Sequence, residues 1–233
     1  MSTQLKGGFT TEHPRLDRIP QFDPRSRDFP LTAEVAPKPL RSYTWNYRGY
    51  DPKLNQGVEG ACVGHGWGND LACYPVPVPG VNNAFARDRI YKPAQYIDEW
   101  PGEDYDGTSV LAGAKVVKNQ LGLINGYSWC FSLNDVLLAL GYRGPVVLGV
   151  NWYENMFDTD SNGFIHVSGD AAGGHCILAR GVNIKNKTVL LRNSWGPDWG
   201  INGGDCLMAW SDLERLLSED GEGCVPTGRK LTT

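Results

Sequence analysis

Four residues of this 233-residue chain have side chains suited to acyl transfer: Cys62, His175, Asn193 and Gln56. An ordinary thiol is mostly protonated near neutrality, and the thiolate is the nucleophile. Such a group becomes useful when a helix N-terminus and an imidazolium lower its pKa. Cys62 and His175 are therefore candidates for such an ion pair. A carboxamide oxygen on Asn193 would accept from the far ring nitrogen of His175 and hold the nearer one toward the sulfur. Gln56, six residues before Cys62, could donate with the Cys62 N–H to a tetrahedral oxyanion, an interaction worth about 3 kcal/mol per donor. The chemistry would be attack on a carbonyl, a thioester, then its hydrolysis.

The residues stand in two blocks. The first is Asn55-Gln56-Gly57-Val58-Glu59-Gly60-Ala61-Cys62; the second is Gly173-Gly174-His175 followed by Asn193-Ser194-Trp195-Gly196, with Trp199, Gly200 and Gly203 completing the run. In type, order and spacing this resembles the papain-like cysteine peptidases of the bacterial or phage type, over about Leu40 to Val225. The resemblance implies an α+β, two-lobed fold: a helical lobe over about 55–130 and an antiparallel β lobe over about 131–225, with the site in the cleft between them. It implies hydrolysis of peptide or isopeptide bonds without cofactor. Trp195 would cover the His175–Asn193 hydrogen bond, and Gly107 and Thr108 would pair with substrate main chain. Gly173 and Gly174, lacking side chains, would leave one wall of the subsite beside Cys62 open. Departures are Glu59, where the family has a disulfide cysteine, and Val63, where it has an aromatic. A catalytically silent peptide-binding protein, an amidase and a transpeptidase would share the same frame.

Composition suits one large domain (41–233) behind a Pro-rich extended segment (1–40). Hydrophobic residues make up 41%, with 8 Trp and 10 Tyr, enough for a sizeable core. The net charge of -4 and the lack of a basic stripe give no footprint for nucleic acid. Met1 to Phe9 lacks an apolar export signal and no run reaches 18 apolar residues, so neither a membrane span nor export is expected. The expected partner is a peptide or protein substrate and the expected location cytoplasmic, or released or virion-associated if phage-encoded. Six cysteines, one reserved as nucleophile, leave an odd five; reduced thiols fit a reducing compartment.

The segment to Pro39 contains six prolines after Met1 and predicts a strap laid over the domain, too short and too broken to be the long helical propeptide of papain-like zymogens. A strap made of proline-stiffened chain can lie along a groove at reduced entropic cost, so it could obstruct or brace the cleft. After Cys62, Gly64, Gly66 and Gly68 each cost a helix about 1 kcal/mol, which close packing must offset. Val110, Ala114 and Val117 mark a helical face after Gly107-Thr108-Ser109. Ser132 to Asp135 fits a capping box for a helix to Leu140, and Ser211-Asp212-Leu213-Glu214 fits another, burying Leu213, Leu216 and Leu217. Strands are predicted at Val146–Val150, Cys176–Ala179, Thr188–Arg192 and Cys206–Trp210.

Three further features read as structural. Cys62-x-x-His65 lacks the second half of a metal site. Asp158 to Gly163 resembles a calcium loop but has Gly169 where the twelfth-position acid belongs, leaving a hairpin before His166. Cys176 reads as core. No metal is expected.

Overall fold

Helix α1 (Cys62–Ala72) is buried along its entire length, which explains its composition. A Cβ on Gly66 would lie 2.6 Å from Cys176 Sγ; one on Gly68 would lie 3.0 Å from Leu54 Cδ1; one on Gly64 would overlap the Ala86 carbonyl. The three glycines give up helix propensity so that neighbouring elements can touch the helix backbone, the close packing their cost demanded. The computed structural model describes residues 3–4, 10–11, 15–19, 30–31, 38–47, 49–98 and 106–230.

Around α1 lie a π-helical turn (Phe85–Tyr91) running into α2 (Lys92–Ile97), and α3 (Val110–Lys115) continued by a second π-helical turn (Val116–Gln120). Ser109 caps α3, its Oγ accepting from Ala112 N at 3.1 Å. Val110, Ala114 and Val117 join Trp67 and Leu71 of α1 in one hydrophobic cluster.

The other lobe is a seven-stranded antiparallel sheet. Two-residue strands β1 (Thr3–Gln4) and β2 (Thr10–Thr11) pair with each other apart from it. The sheet comprises β3 (Tyr43–Thr44), β4 (Gly126–Cys130), β5 (Val146–Tyr153), β6 (Ala171–Asn183), β7 (Thr188–Arg192), β8 (Asp205–Ala209) and β9 (Glu222–Thr227). Their order is β4-β9-β5-β6-β7-β8, with β3 also on β6. Strand β4 comes from the end of the stretch assigned to the helical lobe and pairs with β9 in register Gly126↔Thr227 to Cys130↔Gly223. Strand β6 runs well beyond Cys176–Ala179, because β5, β7 and β3 all pair with it.

Helix α4 (Leu133–Tyr142) starts as the sequence predicts: Ser132 Oγ accepts from Asp135 N at 3.2 Å, and Asp135 Oδ2 accepts from Phe131 N at 3.2 Å. The second capping box is overturned. Helix α5 (Trp210–Ser218) begins one residue before Ser211, with Ala209 as N-cap and no side-chain cap bond. The Trp210 N–H donates to Lys187 O at 3.0 Å, so the first turn is anchored by the β7–β8 edge instead. Leu213, Leu216 and Leu217 are buried as expected.

Most of the Pro-rich segment lies outside the described residues, but Arg15 to Ile19 does not. Leu16, Asp17, Arg18 and Ile19 are buried, and the segment enters the groove between Thr108 and Gly174.

Candidate active site

His175 sits on β6 opposite Val150 of β5. Asn193 follows β7, and its N–H donates to Gly204 O at 2.9 Å. His175 Nε2 lies 2.8 Å from Asn193 Oδ1, which also accepts from Ser194 N at 2.8 Å. An oxygen accepting twice fixes the Asn193 amide orientation and makes His175 Nε2 the donor, turning the other ring nitrogen, Nδ1, away from Asn193. Aromatic rings enclose the pair. The Trp195 ring centroid is 5.1 Å from that of His175, Trp152 meets His175 edge-on at 4.6 Å, and Phe157 stacks on Trp195 at 5.6 Å. Excluding water from the hydrogen bond strengthens it.

Cys62 opens α1, fully buried. Backbone N–H groups of Asp17, Cys176 and Val63 face its sulfur, so the thiol lies against the residue next to His175. With the strap seated the thiol is pushed up to about 11, chiefly by burial, with the Asp17 carboxylate adding to the rise, the opposite direction from the lowered pKa expected of a reactive thiolate. The cause is the strap, which covers the sulfur and excludes the water a thiolate needs.

Gln56 Oε1 accepts from Ser194 Oγ at 2.7 Å, which fixes the amide so that Nε2 donates to Glu59 O at 2.8 Å and to Arg15 O at 3.2 Å. The nitrogen expected to serve an oxyanion is therefore in contact with a strap carbonyl. Thr108 also pairs with the strap: Ile19 N donates to Thr108 O at 3.1 Å, and Thr108 N to Asp17 O at 3.3 Å. Gly107, at φ 95°, has no room for a Cβ, which would fall on the Asp17 carbonyl. The wall left bare by Gly174 is filled the same way. Arg18 N donates to Gly174 O at 3.0 Å, and a Cβ on Gly174 would overlap the Arg18 carbonyl.

Sequence reasoning missed Ser194 as the group that orients Gln56, Trp152 and Phe157 as parts of the aromatic wall, and Leu16 to Ile19 as occupants of the groove. Ser194 had a signal, standing inside the Asn-Ser-Trp block. Arg18 had none, since a lone arginine among prolines looks solvated.

The weaker candidates behave as structural groups. His65 is buried, with Nδ1 2.8 Å from Ala61 O, and burial lowers its pKa. Asp160 Oδ1 accepts from Asn162 N and Phe164 N at 2.8 and 2.9 Å, and Oδ2 meets His166 Nε2 at 3.0 Å, a self-contained turn. Among the described residues no group of three His, Cys, Asp or Glu could hold a metal. All six cysteines are free and buried, Cys176 behind Gly66.

A helical lobe against an antiparallel sheet, with the cysteine on the first helix, the histidine on the sheet and the asparagine just after β7, is the architecture of the papain-like cysteine peptidases. Residues 113–208 match the model of the papain family cysteine protease, a stretch that includes His175 and Asn193 and leaves Cys62 outside. The chain is similar to an uncharacterized peptidase C1-like protein of Acanthamoeba polyphaga mimivirus, 26% identical over 49% of this chain and 38% of that one. It is also similar to a cathepsin B-like cysteine proteinase of Schistosoma japonicum, 37% identical over 36% and 25%. The matched stretches thus span well under half of these relatives. In fold it is similar to xylellain, a cysteine protease from Xylella fastidiosa, with a TM-score of 0.69, 16% identity and coverage of 94% and 98%. A digestive procathepsin L2 from Tenebrio molitor gives 0.57 and 17%, covering 93% and 78%. The chain is similar to papain-like proteases in fold over the aligned, described residues and in sequence over the matched stretch.

Proposed function

We propose that this chain is a cysteine-type peptidase, acting on peptide or isopeptide bonds through a thioester on Cys62. The observation that carries the reading is the His175–Asn193 pair held beside the Cys62 helix terminus, with the Gln56 amide aimed at the same space. In this reading the Cys62 sulfur attacks a substrate carbonyl and His175 carries the thiol proton to the leaving amine. The C–N bond breaks as the thioester forms, and water, deprotonated by His175, then releases the acid. Gln56 Nε2 and the Cys62 N–H donate to the tetrahedral oxygen, which would take the position near the Arg15 carbonyl. Thr108 and Gly174 bind substrate main chain. Asn193 and Trp195 position the imidazole.

The seated strap supports a resting state. Residues 15–19 take the hydrogen bonds a substrate would need, and Cys62 is covered. We place the enzyme in the cytoplasm, a reading supported by six free thiols; no helix among the described residues is long and apolar enough to cross a membrane. Labelling with an epoxide thiol probe, followed by turnover of a fluorogenic peptide library, tests the assignment. Cys62→Ala should abolish both while leaving the fold intact. Turnover near the parental rate in that variant would end the mechanism.

A further inference from the structure

Gly107 and Thr108 face the strap from outside the seven-stranded sheet. Among the described residues the one β-bridge of Thr108 is to Arg18 of the strap, so no neighbouring strand holds this segment from behind. Side chains of one helical face do so instead. Gly107 N donates to Tyr91 Oη at 3.0 Å, and Gln95 Nε2 donates to Gly107 O at 3.3 Å. Thr108 Oγ1 completes the set, donating to Asp98 Oδ2 at 2.8 Å. Residues 91, 95 and 98 are spaced four and three apart, which stacks them along one side of the π-helical turn and α2. That side is registered against Cys62. Gly64, two residues after the thiol, lets the π-helical turn lie on the α1 backbone, where a Cβ would fall 2.6 Å from Tyr91 Cβ and on the Ala86 carbonyl. Tyr91, Asp98 and Thr108 are all buried, so the bonds form away from competing water.

We infer that Tyr91 and Asp98, with Gln95 between them, are positioning residues for peptide binding: they hold residues 107–108 as an edge strand in register with Cys62. The inference rests on the peptidase reading for its catalytic meaning, and on these hydrogen bonds for its structure. An extended peptide gains from an edge whose N–H and C=O already point at it; an edge that must first be ordered subtracts that cost from binding. Tyr91 and Gln95 engage both main-chain groups of Gly107, which leaves Thr108 to present its own pair to the groove. The strap takes both, Ile19 N donating to Thr108 O and Thr108 N to Asp17 O. Asp98 acts on the side chain as the other two act on the main chain, fixing Thr108 Oγ1 and with it the rotation of the strand about its axis. None of the three needs to touch the substrate. Each acts through residue 107 or 108.

The test uses the full chain carrying Arg18→Glu, which sets a second carboxylate against buried Glu222, the partner of Arg18, and clears the strap from the groove. Two substrates are compared: fluorogenic peptides, which pair with the strand, and p-nitrophenyl acetate, whose acetyl group has no amide to pair with it. Adding Tyr91→Phe or Thr108→Val, each close to isosteric, should lower the ratio of peptide to ester kcat/KM about fivefold, the size of one lost hydrogen bond. The loss should fall on the peptide KM more than on kcat, as expected for main-chain binding. Asp98→Ala should do the same, and Asp98→Asn, which keeps an acceptor for Thr108 Oγ1, should restore the ratio. Melting curves report the fold of each variant, and a purely structural loss would depress both substrates together. In the chain with its strap intact Tyr91→Phe should act with the opposite sign, speeding alkylation of Cys62 by iodoacetamide about fivefold, because the strap leans on the same strand. Where peptides are cleaved, a ratio unmoved by Tyr91→Phe and Thr108→Val, or Asp98→Asn as poor as Asp98→Ala, overturns the inference and keeps the peptidase. Where no peptide is cleaved, the peptidase reading falls and alkylation decides: a faster rate in Tyr91→Phe upholds the positioning role, and an unchanged rate overturns it.

Discussion

Two buried arginine–carboxylate sites stand on opposite sides of β6 in the chain's economy of charge, and they are built differently. Asp205, on β8, receives Arg180 Nε at 3.1 Å and Nη2 at 2.5 Å, and pairs with Arg192 Nε at 2.8 Å. The terminal nitrogens are used too: Arg180 Nη1 reaches Trp45 O at 3.0 Å, Arg192 Nη2 reaches Asp51 Oδ2 at 2.9 Å, and Arg192 Nη1 bonds Gly203 O, while Arg192 Nε meets Asp205 as an ion pair without a hydrogen bond. That network ties β6, β7, β8 and the segment before α1 around the turn bearing Asn193 and Trp195. Arg18 meets Glu222 through one nitrogen and leaves two without partners among the described residues. A buried pair is costly to break in proportion to how completely its charges have replaced water with protein. The first site is fitted for permanence and the second for exchange.

The largest effect should follow from breaking the permanent site. Asp205→Ala leaves the Arg180 guanidinium without a carboxylate and Arg192 with Asp51 alone, and should cost about 3–5 kcal/mol of stability, measured by urea unfolding. A loss below about 1 kcal/mol would mean the network is no stronger than a surface pair.

Next comes a variant that attacks the exchangeable site without touching charge. Gly174→Ala places a Cβ on the Arg18 carbonyl and should lift the strap, raising the rate of Cys62 alkylation about tenfold, the factor corresponding to ~1.4 kcal/mol. Urea stability should barely change. A parallel loss of stability would show the strap to be as structural as Asp205.

The third effect depends on pH. In the seated strap the Asp17 carboxyl is raised from 3.8 to about 7, first by burial and then by the nearby Asp106 charge. Seating therefore takes up a proton between those values, so it is firmest below the ordinary carboxyl range and weakens as pH rises through about 7. The ratio of Cys62 alkylation rates, parent over Asp17→Asn, cancels the thiol's own ionisation. It should climb severalfold from pH 5 to pH 8.5, and a flat ratio would remove Asp17 from the control of seating.

The smallest effect belongs to Arg15→Ala. Its guanidinium carbon lies 5.9 Å from the Trp195 ring centroid, a cation–π contact worth about 0.5–1 kcal/mol at an accessible site. Alkylation should speed up no more than a few fold; a larger change would rank Arg15 above Arg18 as an anchor.

Much of this was legible in the chain itself. Asn193-Ser194-Trp195 and Gly173-Gly174-His175 are local blocks whose residue types state their chemistry, and Ser132, Ser109 and the α1 glycines carry their reasons in their neighbours. Ser211 misled because a capping pattern is only a local preference, and the Lys187 carbonyl offered the helix a better anchor one residue earlier. What determined fold class and candidate catalytic residues was short-range: side-chain type, spacing and period. What only the tertiary structure decided was long-range. The Cys62 thiol is raised because residues 15–19 cover it, Gln56 is oriented by a serine 138 positions away, and Glu222 finds its ion-pair partner in Arg18, 204 positions earlier. No local pattern records such pairings, because burial and partner choice arise only when distant segments share one volume.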